Sequence, residues 1–287
     1  MNVFRFKTKK ERPESLEHRD SPNYYWNIGM AISALMMVLI LVGYVWTPYS
    51  TTEMSGRDKF LSPCLRHPLG TDIFGRDLLS RILEGAGSTF LIALCVILIG
   101  GIIGTIIGSL TGYFGGMADV VLMRICDAIT AFPSILLAMV IISIMGPGKT
   151  VNVVLALGLV FIPSFARVTR TAYAGLRDAN YVKSARLMGA SSARILWVHI
   201  LPNIMQVLLP AITIGFNNAV LAEASMSYLG IGVTPPDASM GYMLSEAQGM
   251  FGAAPWYALG TGLFMVLLVF GVGLIGEGLQ RRDKGVA

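Results

Sequence analysis

The residues best placed to do chemistry sit in an apolar run, LLPAITIGFNNAVLAEASMSYLG at 208–230, which holds Asn217, Asn218 and Glu223. A charged side chain at the centre of a bilayer costs about 2.5–3.5 kcal/mol on insertion scales, so Glu223 should face protein or water rather than lipid. Two readings follow: the three residues line or gate a translocation path, or the carboxyl lies near the outer boundary, bonded to backbone amides or to another chain. Other chemistry finds little material. Cys64, Cys95 and Cys126 form no CxxC pair, and His18, His67 and His199 lie far apart, so neither a disulfide framework nor a metal site of this chain is expected. Gly148-Lys149-Thr150 imitates the end of a phosphate-binding loop. The first glycine of that motif would fall at Ser143, and an apolar helix precedes it instead of a strand. The spans hold no Ser–His, Asp–Asp or HExxH arrangement, so no catalytic residue is assigned.

The elements that position these residues are membrane helices. The 287 residues are 54% hydrophobic and only 14% charged. A soluble domain carries about a quarter charged residues, so this surface cannot all face water. The net charge of +5 is small for the length and does not mark a nucleic-acid footprint. A span needs about 20 apolar residues, and six candidates appear, at about 28–46, 88–112, 125–145, 151–168, 204–229 and 256–276. Tyr24, Tyr25, Trp26 and Trp46 flank the first like interfacial aromatics, and it lacks a small-residue cleavage site. The third is the least clean, with Arg124 and Asp127 at its start.

Lysine and arginine set the sides. They cluster in the N-terminal tail, in the connection between the fourth and fifth spans, and after the sixth, which six spans place on one side. That side should be the cytoplasm, with both termini inside. Residues 230–255 on the other side contain neither lysine nor arginine. Arg57, Lys59, Arg66, Arg76 and Arg81 in the 47–87 segment run against the rule, although acids accompany them. The expected organisation is therefore a tail at 1–25, a first helix at 26–46, an extracytoplasmic segment at 47–87, a five-helix core at 88–280 and a tail at 281–287. Within 47–87, residues 72–84 are expected to form a short interfacial helix with Phe74, Leu78 and Ile82 on one face.

Two local patterns stand out. Gly100, Gly104, Gly108, Gly112 and Gly116 recur every four residues and make one small-residue helix face. Such a face lets another backbone approach closely, either within this chain or from a second membrane subunit. The loop at 177–203 reads RDANYVKSARLMGASSARILWVHILPN. Tyr181 to Met188 suits a short helix that Gly189 can end with φ > 0. Ser191 or Ser192 can cap a second one, and Pro202 marks the next break.

The run Tyr181-Val182-Lys183-Ser184-Ala185-Arg186-x-x-Gly189, followed by His199-x-Leu201-Pro202-Asn203, resembles the "EAA" loop of binding-protein-dependent ABC import permeases. It is most similar to the second permease of the dipeptide, oligopeptide and nickel group. Lys183 stands where the family often has Glu, and Ser184 replaces the first Ala. His67-Pro68-Leu69-Gly70-Thr71-Asp72 with Gly75-Arg76-Asp77, Gly112-Tyr113-Phe114-Gly115-Gly116, and Glu223-Ala224-Ser225-x-Ser227-Tyr228-Leu229-Gly230 resemble further segments of that group in its own order. The C-terminus departs, with no Asp-Pro pair after Arg281-Arg282-Asp283-Lys284.

The resemblance implies an all-α integral membrane protein with a cytoplasmic coupling-helix loop, in a bacterial or archaeal inner membrane. It implies a second homologous permease, two cytoplasmic ATPase subunits and an extracytoplasmic substrate-binding protein as partners. ATP and magnesium would be used by the ATPases, with no cofactor bound by this chain. Tyr181, Lys183, Ser184, Ala185, Gly189, His199 and Pro202 would form the element that receives the ATPase. The competing reading is a secondary transporter driven by an ion gradient. That class favours inverted repeats and several buried ionisable groups, and neither is evident here.

Overall fold

The computed structural model describes residues 24–284 apart from Pro236. The basic N-terminal stretch at 1–23 lies outside the described residues, as do residues 285–287, so the charge pattern of the N-terminal tail is not placed. Helix α1 (Tyr24–Val45) comes first, and a long irregular segment leads from it to α2 (Leu78–Phe114). Helices α3 (Gly116–Thr130) and α4 (Ser134–Met145) follow, then α5 (Thr150–Leu176) and the short α6 (Asn180–Leu187). A turn at α7 (Ser192–Arg194) runs through a π-helical stretch, Ile195–Ile200, into α8 (Leu201–Tyr228). Helices α9 (Met240–Gln248) and α10 (Pro255–Lys284) complete the described residues. Among the described residues there is no strand, only the isolated bridges Thr71–Asp77 and Gly148–Val233. Gly148-Lys149-Thr150 therefore joins the end of α4 to the start of α5 without the strand that a phosphate loop needs.

Five helical stretches are long and apolar enough to cross a membrane, and a sixth arises if α3 and α4 count as one span bent by 87°. The expected third span, 125–145, is this bent pair. Pro133 has no N–H to donate and its ring disfavours the α region at Phe132, and the helix does not continue through Phe132–Pro133. The 12 residues of α4 rise about 18 Å, short of a hydrocarbon core about 30 Å thick.

Two expectations are corrected. The separate interfacial helix at 72–84 does not form. Asp77 caps α2, its Oδ2 accepting from the Ser80 amide at 2.8 Å and the Ser80 hydroxyl at 2.7 Å. Leu78 and Ile82 are then buried in the first turns of the 37-residue α2 while Phe74 stays exposed in the preceding loop. Nor does Pro202 break the chain. Leu201 donates to the Leu196 carbonyl, a π-type bond to the fifth residue back. This wider turn makes room for the proline ring, and α8 continues in line.

The glycine ladder is used inside the chain. A Cβ at Gly100 would lie 2.9 Å from Phe161 Cβ, and one at Gly104 would lie 2.6 Å from Phe165 Cβ. Gly108 and Gly112 meet the backbone of α5 at Ala166 and Arg170 just as closely. The ladder thus seats α5 on α2. Gly116 lies past the helix end at φ +64° with open space around it. A second small-residue seam joins α1 to α10, where Gly29 abuts Ile275, and Gly271 and Gly278 abut Ser33 and Trp26.

Candidate functional site

The 177–203 loop is a rigid knob, built from both ends. Gly189 has φ +82° and completes a Schellman cap. Its amide donates to the Arg186 carbonyl at 3.1 Å, and the Ala190 amide donates to the Ala185 carbonyl at 3.0 Å. Ser191 caps the next turn by accepting from the Arg194 amide at 3.3 Å. Val182 and Ala185 face inward and are buried with Tyr173 of α5 and Ile195, Leu196, Ile200 and Ile204 of the return helix. The Tyr173 hydroxyl donates to the Leu196 carbonyl at 3.0 Å, and Arg186 reaches the Tyr113 hydroxyl of α2 at 3.0 Å.

The other face of the knob is free. Leu187 and Met188 are 89% and 81% exposed, and Lys183 and Ser184 are exposed beside them. Tyr181 is partly covered, and burial pushes its phenol above the usual range while a hydrogen bond from Asn203 opposes the shift, so it is neutral at physiological pH. His199 sits at intermediate exposure on the π turn, and its carbonyl accepts from the Asn203 amide group at 2.6 Å. Pro202 is exposed at the start of α8.

The three polar residues of the fifth span do not share a surface. Asn218 opens into a groove of about 300 Å³ between α4, α5 and α8, with Ser134, Ser164 and Ser225 as its other polar groups and Leu157 and Phe161 among its apolar walls. Asn217, about 100° round the helix, points toward Gly273 of α10, and its Oδ1 is buried without a hydrogen-bond partner. Glu223 is fully buried beneath the opposite end of the bundle. Its Oε1 accepts from Ser227 at 2.7 Å. Oε2 has no bond by geometry, although the hydroxyls of Thr89 and Ser239 lie close enough to interact with the carboxyl. Glu223 joins α2, α8 and the start of α9, and it lines no groove. The serines are not among the residues that the sequence marks as candidates, yet Asn218, Leu221, Ala222 and Ser225 follow the one-face spacing of a helix.

At the end away from the knob, a largely buried ionic clasp accounts for two of the five cations that contradict the charge rule, Arg76 and Arg81, while Arg57, Lys59 and Arg66 stay exposed. Asp72 Oδ2 receives Arg76 Nε at 2.6 Å and Arg81 Nη1 at 2.7 Å. Glu246 of α9 takes Arg81 Nη2 at 2.9 Å and Arg76 Nη2 at 3.3 Å, and the Tyr257 hydroxyl donates to it at 2.7 Å. Two arginines are thus neutralised by two acids within protein. His67 pairs with the capping Asp77 at 2.9 Å, and these contacts hold the 47–77 segment onto the bundle.

A bundle of apolar spans, a docked knob at one end, a folded platform at the other and a polar groove between them define a membrane transport subunit. The chain belongs to the family described as "Binding-protein-dependent transport system inner membrane component", which matches residues 104–283. Similar proteins include the dipeptide transport system permease protein DppC of Haemophilus influenzae, 36% identical, with 87% of this chain and 86% of that protein covered. The glutathione transport system permease protein GsiD of Pectobacterium atrosepticum is 38% identical, with 88% and 85% covered. A chain of the MetNI methionine ABC transporter, solved in inward-facing conformations, shares the fold at a TM-score of 0.55 and 21% identity, covering 71% of this chain and 95% of that one.

Proposed function

We propose that this chain is one of two related permease subunits in an ATP-driven importer of short peptides. The names of the relatives, dipeptide and glutathione permeases at 36% and 38% identity, favour a peptide cargo over the nickel chelate that the group resemblance also allowed. The knob faces the cytoplasm in a bacterial or archaeal inner membrane, as do both termini, and the 47–77 and 230–254 platform faces outward to receive the binding protein. ATP and magnesium belong to two separate ATPase subunits. The groove between α4, α5 and α8 is half of the path, completed by the second permease. Its amide and hydroxyl groups can bond peptide backbone while making no demand on side-chain charge.

The single observation that carries this reading is the knob: an exposed Leu187–Met188 tip whose inner face is fixed to both α5 and α8. A push on the tip moves two groove-forming helices together, which is what a two-state element biased by a nucleotide cycle requires. The ion-gradient alternative lacks support from Glu223, which is sealed away from the groove. The test is uptake of a labelled dipeptide into proteoliposomes holding the full complex. Uptake that needs both internal ATP and the binding protein is expected. Uptake driven by a proton or sodium gradient without ATP would refute the assignment.

A further inference from the structure

A second cleft, of about 400 Å³, opens between α3 and α5 at the knob end of the bundle and is lined by Arg124, Arg167, Arg170, Asp119 and Asp127. Arg170 grips Asp119 with Nε and with Nη2, the latter at 2.7 Å. Arg167 gives Nη2 to Asp127 at 3.1 Å and also to Thr130. Each carboxylate is therefore matched by one guanidinium. Arg124 is left over: it is exposed, and among the described residues it makes no ion pair and no side-chain hydrogen bond. The cleft carries one uncompensated positive charge, and Arg167 and Arg170 keep part of their own surface open, at 48% and 41% side-chain exposure.

The helix that holds Arg124 lies across the bundle. Asp119 and Asp127, about 12 Å apart along α3, meet Arg170 and Arg167, only about 4.5 Å apart along α5, so the two helices cross steeply. The 87° bend into α4 agrees. One face of α3 is bare and apolar, with Met117 77%, Val120 56%, Val121 49% and Ile125 54% exposed on either side of Arg124. Cys126, on the other side of the helix, is buried. A helix lying across a lipid-facing bundle with such a face has the form of an interfacial helix, its apolar side chains among the acyl chains and the long Arg124 side chain between them snorkelling to headgroup level.

We propose that the α3–α5 cleft binds the phosphate of an anionic phospholipid, with Arg124 as principal donor and Arg167 and Arg170 flanking it. A guanidinium suits this ligand because it meets phosphate oxygens with two parallel N–H bonds. The proposal does not depend on the cargo. The orientation proposed above decides only that the leaflet is the cytoplasmic one.

The test titrates the purified full chain in detergent with phosphatidylglycerol and reads bound lipid by native mass spectrometry. One retained lipid is expected, with affinity weakened roughly fivefold in Arg124→Gln, as befits about 1 kcal/mol per surface cation. Arg124→Lys should keep most of the binding, and Arg66→Gln, exposed at the opposite end, should keep all of it. Circular dichroism of each variant serves as the check on folding, and unchanged spectra are expected. Unchanged affinity in Arg124→Gln, or equal binding of phosphatidylcholine, would overturn the site. Displacement by millimolar glycerol phosphate would mean a free oxyanion site and would overturn the lipid assignment. Crosslinking of position 124 to a second protein chain in the intact complex would do the same.

Discussion

The hydroxyl of Tyr173 donates to the carbonyl of Leu196 across 23 residues of chain, at 3.0 Å and with both side chains buried. This bond and the ring beneath it tie the inner end of α5 to the helix that returns from the knob. Leu196 also accepts from the Leu201 amide, so Tyr173→Phe leaves no orphan carbonyl and should cost only about 1 kcal/mol. Tyr173→Ala empties a large buried site and should cost about 3–5 kcal/mol. Thermal unfolding in detergent should rank the proteins in that order. An alanine variant that melts like the parent would show that the ring does not anchor the knob.

The helix seam makes a sharper steric prediction. Gly104→Ala puts its methyl 2.6 Å from Phe165 Cβ and 2.7 Å from the Ile162 carbonyl, so α2 and α5 must separate. A loss of about 1–3 kcal/mol follows from overpacking. Gly175→Ala on α5 meets nothing within 4 Å and should stay within about 0.5 kcal/mol of the parent. Equal stability of the two variants would mean that the ladder is not the contact between these helices.

For the ionic clasp, removal of one partner is the informative change. Arg81→Met leaves the buried Asp72 and the half-buried Glu246 with less positive charge, an imbalance worth about 3 kcal/mol. The loss should depend little on salt, because buried pairs are screened weakly. Arg57→Met, exposed in the same segment, is the control and should be near neutral. The readout is unfolding temperature at low and high ionic strength.

Much of this architecture was legible in the sequence, because the signals that were read are local. Apolar runs marked the spans, and the knob followed from Gly189 and Ser191, whose conformations depend on neighbours in the chain. What escaped depends on distant partners. Leu78–Gly87 reads as surface because of Arg81 and Glu84, and only Glu246, 170 residues beyond Arg76, shows why these arginines can be buried. Phe132–Pro133 lies inside the expected third span, and nothing in its neighbours along the chain shows that the helix turns by 87° there. Asn218 stands out in an apolar run, whereas Ser134, Ser164 and Ser225 do not, since a serine in an apolar helix declares its face only once its neighbours are known. The α1–α10 seam uses Gly29, Gly271 and Gly278, too far apart in sequence to suggest a pattern.

Sidedness is open to direct labelling. Ser192 and Asp237 are exposed at opposite ends, whereas Ser239 is buried and would report nothing. Cys64 is exposed and must first be replaced by serine. Single cysteines at 192 and 237 should then differ: a membrane-impermeant maleimide added to intact cells should tag only 237. Tagging of 192 alone would invert the proposed orientation.

The central claim is that the knob transmits ATPase movement to the groove, and Gly189 tests it most directly. At φ +82° a β-branched side chain is strained by about 1–2 kcal/mol, yet a Cβ there touches nothing within 4 Å, so the bundle itself is not disturbed. Asparagine tolerates this conformation and valine does not. The measurement is dipeptide taken up per ATP hydrolysed by the reconstituted complex. Gly189→Asn should match the parent, and Gly189→Val should insert and assemble but fall well below it in that ratio. A valine variant with the parent's ratio and normal assembly would contradict the account.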